Sequence, residues 1–223
     1  DLVRSRGLGD VYKRQDYNPT SMRPYISWLL ITLCSLIFFY QMGLNQIDFN
    51  NFVRSFGITP VKLINNINEI AEALRTAGGH VIWTKSTFNC AWTPQMYENY
   101  ADRNIINKMM EETSEEHDGF KIYEKMEYKS EDVICKKYRP SAFIQGSSDI
   151  EKVLKEKGCD TLIISGTLTN ACCESSARDA AALGYKVLFL SDGTATRTDI
   201  EHNAALINLM QLVADVRLSL IHI

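Results

Sequence analysis

The stretch "SGTLTNACCESSARDAAALGYKV" (residues 165–187) sets two adjacent cysteines, Cys172 and Cys173, between a Gly- and Thr-rich turn and an alanine-rich run of helical character. Just before it, "TLIIS" (161–165) is a short, continuous apolar run, the kind that forms a parallel strand covered on both faces. The helical run covers about residues 172–183, Gly184 ends it, and "KVLFLSD" (186–192) reads as the next strand. The thiol pair therefore falls where a strand stops and a helix starts.

The same alternation extends outward in both directions. In "VKLINNINEIAEALRTAGG" the residues Leu63, Ile64, Ile67, Ile70, Ala71 and Leu74 share one helical stripe, and Gly78 and Gly79 stop it. Strands are expected at 80–86 ("HVIWTKS") and 133–137 ("VICKK"), with a long polar, aromatic-dotted region between them and some helix near 100–112. Ser148 and Glu151 stand at capping-box spacing, so a helix is expected from there to Gly158. After the turn "GTATRTD" (193–199), a helix over about 200–213 leads into "ADVRLS". Strands alternating with helices predict βαβ units and an α/β fold, an open, mostly parallel, doubly wound sheet with helices on both faces.

In such a sheet, ligands bind outside the carboxyl ends of the strands. The turn "GTLTNA" delivers Cys172 to the first turn of the following helix. Backbone N–H groups and the helix dipole gather there, favour a thiolate nucleophile and could hold an oxyanion. The plain alternative is that a free cysteine is a small buried hydrophobe. That reading is kept for Cys34, Cys90, Cys135 and Cys159, and Cys173 is expected to turn into the helix–sheet contact.

Composition bounds the function. The chain has 223 residues, 45% hydrophobic and 23% charged, as expected of a globular domain. A net charge of −3 and no basic stripe argue against a nucleic-acid partner. The six cysteines form neither a secreted disulfide framework nor a CxxC zinc pattern, so a reducing cytoplasm is the expected setting. Residues 1–15 lack a hydrophobic period and, like the apolar 219–223, resemble adapter read-through, which leaves a single domain over 16–223. The apolar run 26–40 ("ISWLLITLCSLIFFY") is shorter than a membrane span, even if 41–44 bring it close. A buried strand is the preferred reading.

At residues 64–216 the chain resembles the isochorismatase-like cysteine hydrolases. The signature is carried by "GTLTNACCESSARDAAALGYKVLFLSDGTAT", by "KYRPSAFIQGSSDIEKVLKEKGCDTLIISG" before it, by "EHNAALINLMQLVADV" after it, and by "INNINEIAEALRTAGGHVIWTKSTF" at the start. The resemblance implies Cys172 as nucleophile and Lys137 as catalytic lysine, although taken alone Lys137 reads as a solvated strand-end residue beside Lys136. It also implies a cis peptide at Thr167–Leu168, with the N–H groups of Leu168 and Cys172 forming an oxyanion hole. Asn170 would brace that turn, or be an ordinary Asx-turn residue. Arg178 and Asp179 read as a structural ion pair with helix contacts.

The implied chemistry is attack on a carbonyl carbon, a thioester, and its hydrolysis. Relatives that split a vinyl ether lack the cysteine, so Cys172 favours cleavage of an amide, ureide or carbamoyl C–N bond in a small molecule. No metal or other cofactor is expected, because "STFNCAWTPQMYENY" lacks the histidine of the metal-binding branch. Trp83, Phe88, Trp92 and Tyr97 could line a substrate pocket, or serve as core and subunit contacts. The resemblance further implies a homo-oligomer.

One group is not evident. The family's first strand ends in an Asp-Met-Gln-like motif whose aspartate takes the thiol proton and passes it to the leaving amine. Aligning Gln41 with the motif's glutamine puts Phe39 at the aspartate's place, and the nearby Asp48 follows the polar "GLNQ", a poor buried strand. Either residues 22–51 are frame-shifted or misassembled, or the base is lost. An inactive relative kept as a binding or scaffolding subunit, a vinyl-ether hydrolase and a membrane-anchored protein are the alternatives.

Overall fold

The computed structural model describes residues 32, 36, 40, 43–45, 48, 59–91 and 93–219. The chain divides into two compact units, Asp1–Gly57 and Ile58–Ile223. In the first unit, Thr32, Leu36, Tyr40 and Asp48 are helical. The strand expected over 26–40 is therefore not formed at its three described positions. An apolar run of that length satisfies a helix as readily as a buried strand, and periodicity does not separate the two. Asp48 is exposed and bound locally, its carboxylate accepting from the Asn45 side-chain amide at 2.7 Å. Among the described residues no helix is long and apolar enough to cross a membrane.

The second unit carries the α/β pattern. Helix α1 (Pro60–Thr76) starts at the Thr59 N-cap, whose hydroxyl accepts from the Lys62 N–H at 3.4 Å. It buries Leu63, Ile67, Ile70 and Ala71, four of the stripe residues. Gly78 closes it with φ of 80°, a left-handed conformation that suits glycine. Strand β1 (Ile82–Ser86) follows, two residues shorter than expected, then short helices α2 (Thr93–Tyr97) and α3 (Arg103–Glu112). Strand β2 (Val133–Lys137) has the expected bounds.

Helix α4 (Ile150–Glu156) begins later than the capping-box spacing suggested. Ser148 does accept from the Ile150 N–H at 3.2 Å. Its own hydroxyl, however, donates to Ala142 O at 2.6 Å, and Glu151 pairs forward with Lys155 instead of reaching back. Strand β3 (Thr161–Thr167), helix α5 (Glu174–Ala182), strand β4 (Lys186–Ala195), helix α6 (Asp199–Leu212) and strand β5 (Asp215–Arg217) complete the unit. Residues 193–195, expected as a turn, extend β4. After a register shift, Thr194 and Ala195 pair with Gly166 and Thr167. Thr194 is fully buried there, and Gly193 allows the approach, since a Cβ on it would lie 2.8 Å from Leu190 Cβ.

Among the described residues all pairings are parallel, as expected, within the sheets β1–β2 and β3–β4–β5. Strands β1 and β3 face a shared cavity of about 750 Å³, into which α1 also presents Ile70 and Leu74. The larger core joins Cys173, Ala177 and Ala180 to Val187, Phe189 and Leu209, the alternate residues of β4 supplying one face. Helix α1 packs on β3 and β4 through residues outside that cluster.

A buried ion pair anchors the start of β2. Arg75 donates to both carboxylate oxygens of Asp132, at 2.9 and 2.6 Å, and the Trp83 indole N–H donates to the same carboxylate at 2.8 Å. The pair's side chains are 9% and 1% exposed. The Arg75 guanidinium, foremost, holds the Asp132 carboxyl down at about 2, against the upward push of burial. Its stabilising effect is therefore complete above the ordinary carboxylate value of about 4 and is lost as pH falls through the folded value. Asp132→Asn is expected to cost ~3 kcal/mol, because it removes the buried countercharge and leaves Arg75 only the half-exposed Glu72 carboxylate at 3.2 Å. Urea denaturation at neutral pH and near pH 2.5 checks this, and the difference between variant and parent should shrink in acid.

Candidate active site

The carboxyl ends of β1, β2 and β3 bring the chemistry together. Alternation along β2 sends its two terminal lysines to opposite sides. Lys136 pairs with Glu115 and lies 5.3 Å from the centre of the Tyr138 ring. Lys137 points inward, only 3% exposed. Its ammonium donates to Arg139 O at 3.1 Å and Pro140 O at 3.2 Å, and reaches Cys172 Sγ at 3.4 Å. A buried cation needs such acceptors, and a thiolate would complete its compensation. Among the described residues, no carboxylate pairs with Lys137.

The turn that presents Cys172 differs from the expected helical first turn. Residues Thr169–Cys173 form a π-turn, and α5 starts only at Glu174. Leu168 O accepts the N–H groups of Ala171 and Cys173, at 3.2 and 3.1 Å, which winds the backbone under the nucleophile. The Thr167–Leu168 peptide is cis, as the resemblance implied. Asn170 accepts from the Thr196 hydroxyl at 2.6 Å, so its described bond reaches across to the segment after β4. That bond is long-range, unlike the local one of an Asx-turn. Cys173 lies in the core, and burial pushes its thiol up to about 12.

The aromatic residues separate into different settings. Tyr97 is partly buried, and burial, then the proximity of Cys172 and of Cys90, pushes its phenol up. Phe88 meets Tyr97 edge-on at 5.7 Å, and neither ring lines the cavity that holds Cys172. Trp83 lines the cavity, but it sits three residues, about 10 Å, before the end of β1 and is bound to Asp132. Trp92 lies outside the described residues. Lys137, Thr167 and Cys172 line the same cavity as β1 and β3. Among the described residues, no three His, Cys, Asp or Glu side chains gather as a metal site.

Residues 47–219 match the isochorismatase domain family. The chain belongs to that family. The matched span includes Asp48 and starts beyond Phe39, so the register that put Phe39 at the acid's place falls outside it. Among relatives, the ureidoacrylate amidohydrolase RutB of Pseudomonas savastanoi pv. phaseolicola is 29% identical over 162 residues, 66% of this chain and 64% of its own length. Nicotinamidase 3 of Arabidopsis thaliana is 37% identical over 78 residues, 35% of this chain and 38% of its own length. The chain thus spans less than two thirds of either relative. The crystal structure of an isochorismatase-like hydrolase from Alkaliphilus metalliredigens superposes with a TM-score of 0.56, at 27% identity over 71% of this chain and 79% of that one.

Within this isochorismatase fold, Arg178 pairs with Glu174, at 2.8 Å, and not with Asp179. Adjacent residues point about 100° apart on a helix, whereas residues four apart share a face. Two residues of the site had gone unread in the sequence. Thr169, 0% exposed, has its hydroxyl 2.9 Å from His202 Nδ1. A Thr in a polar turn and a His in a helix's first turn carry no mutual signal at that separation.

Proposed function

We propose that this isochorismatase-family protein is a cysteine hydrolase that cleaves a C–N bond of a small amide, ureide or carbamoyl compound. The observation that carries this is the 3.4 Å approach of the buried Lys137 ammonium to Cys172 Sγ. The amide-cleaving names of the two relatives support the substrate class.

The thiolate of Cys172 attacks the carbonyl carbon, and the C=O electron pair moves onto oxygen. The N–H groups of Leu168 and Cys172 receive that oxyanion, while Lys137 holds the thiolate before attack. Collapse expels the amine, which takes a proton from water, and leaves a thioester on Cys172 and a hydroxide for the second step. That hydroxide then adds to the thioester, the C–S bond breaks, and the acid product leaves with the thiolate regenerated. The acyl group enters the cavity that Trp83, Lys137 and Cys172 line. The reading carries no cofactor; it takes a cytoplasmic setting from the cysteine pattern and a homo-oligomer from the family resemblance.

Amides differ from activated esters in what they ask of the site. An amine must be protonated to leave, whereas a nitrophenolate departs unaided. With no carboxylate on Lys137 among the described residues, esters are expected to turn over readily. Amides are expected to fall well below the ordinary ~1–1000 per second. The test is a screen of small amides, ureides and carbamoyl compounds, read by ammonia release, beside nitrophenyl esters, with Cys172→Ala as blank. Asp48→Asn and Phe39→Asp run in parallel. Amide turnover at ordinary enzyme rates, lost in Asp48→Asn, would show that Asp48 supplies the proton. A rise in Phe39→Asp would restore the other register. No Cys172-dependent turnover of any substrate would favour a binding subunit.

A further inference from the structure

The turn that carries Cys172 is held from outside by one short piece of chain, the entry to α6. Thr196, just after β4, donates to Asn170 at 2.6 Å. Thr198 caps α6, its hydroxyl accepting from the Glu201 N–H, and its carbonyl takes the His202 N–H at 3.0 Å. That bond fixes His202 in the first turn of the helix, with its ring aimed at the π-turn. His202 Nδ1 then lies 2.9 Å from the hydroxyl of Thr169, which has no solvent exposure. A buried hydroxyl with a single polar partner is a stiff joint, because letting go of that partner leaves the group unsatisfied. Burial, foremost, pushes the His202 imidazole toward its neutral form, against a hydrogen bond to the Ser191 backbone and the nearby Asp199 carboxylate.

We propose that His202 is a positioning residue for the hydrolysis: through Nδ1 and the Thr169 hydroxyl it fixes the π-turn so that the Leu168 and Cys172 N–H groups meet the developing oxyanion. The inference rests on the reading of Cys172 as nucleophile. His202 touches neither the substrate nor the reacting atoms. Thr169 is the first residue of the π-turn and follows Leu168 directly, so a shift at its side chain moves the Leu168 peptide unit. The carbonyl of Leu168 also receives the Ala171 and Cys173 N–H groups, which links that peptide to the whole turn. An oxyanion hole works only when its donors are preorganised, and displacement by a fraction of an ångström weakens both bonds in the transition state. The ground-state substrate, with a neutral carbonyl, depends on them far less.

The prediction is a fall in kcat with KM unchanged. His202→Phe keeps a ring of similar size without nitrogen, and Thr169→Val keeps the shape of threonine without its hydroxyl. Each is expected to lower kcat for a nitrophenyl ester roughly 10- to 100-fold, the cost of a misplaced catalytic group. The double variant should be no slower than either single one, because both remove the same bond. Thr169→Ser should retain the rate, and His202→Asn, whose amide can take the place of Nδ1, should recover part of it. Alkylation of Cys172 by iodoacetamide forms no oxyanion, so its rate should not change in any of these variants.

Unchanged kcat in His202→Phe, additive losses in the double variant, or a fall in alkylation that tracks kcat would overturn the positioning role. The last result would mean that the thiol itself had moved. Ester turnover that survives Cys172→Ala is a different failure, since it removes the nucleophile reading first.

Discussion

Cys172→Ala is expected to abolish hydrolysis while leaving the melting temperature nearly unchanged. The side chain is only partly buried and its described polar contact is the long one to Lys137, so little packing is lost. Substitutions of that kind usually fall within about 0.5 kcal/mol. The chemical loss is total because no other described thiol shares the position. Cys173 and Cys135 are 6% and 5% exposed, and burial keeps the Cys173 thiol protonated far above neutrality. Cys90 is engaged with the Thr93 hydroxyl at 2.9 Å, and Cys159 packs at the edge of the second core cluster. Iodoacetamide at neutral pH should therefore modify Cys172 first, as read by peptide mass mapping. Preferential labelling of Cys173 or Cys90, or hydrolysis that persists without the Cys172 thiol, would remove the assignment.

The parts of this molecule that were legible in its sequence are those decided locally. "TLIIS" is a nearly continuous apolar run and "VICKK" opens with three apolar residues, and each forms a parallel strand. The stripe of α1 ends at a glycine because only a left-handed residue turns the chain there. What could not be read depends on partners distant in the chain. The extension of β4 through Ala195 requires the far end of β3 to shift register beside it. A π-turn and a helical first turn have the same composition, so the geometry under Cys172 was not visible in "TNACCE". Cys172 was marked by its place between a strand and a helix, whereas its role as nucleophile and the part of Lys137 came from the family resemblance. Which of two adjacent lysines turns inward became plain only once the strand had a register, Ser86 opposite Lys137. The Thr169–His202 bond joins residues 33 apart, and no local pattern announces it.

Lys137→Met should lower kcat by about 100-fold or more, the scale of losing one electrostatic contact to the transition state. Methionine is close to lysine in length and unbranched, so the packing is nearly conserved and the charge is what disappears. Two carbonyls, of Arg139 and Pro140, lose their donor at the same time, and some stability goes with them, about 1 kcal/mol for each bond. A modest fall in melting temperature is thus expected together with the large fall in rate. Lys136→Met supplies the control. That lysine pairs with the exposed Glu115 on the far side of the strand, and such surface pairs contribute ~0–1 kcal/mol, so its activity should be nearly that of the parent. Lys137→Arg should not rescue, because a planar guanidinium is larger than the ammonium and cannot meet two carbonyls and a thiolate from the same point. The Cys172 alkylation rate separates the two ways in which Lys137 could act. If the ammonium holds the thiolate, alkylation slows in Lys137→Met. If it acts only later, on charge developing at the substrate, alkylation is unchanged while kcat still falls. Equal losses in the Lys136 and Lys137 variants would contradict the inward placement of Lys137, and with it the site as a whole.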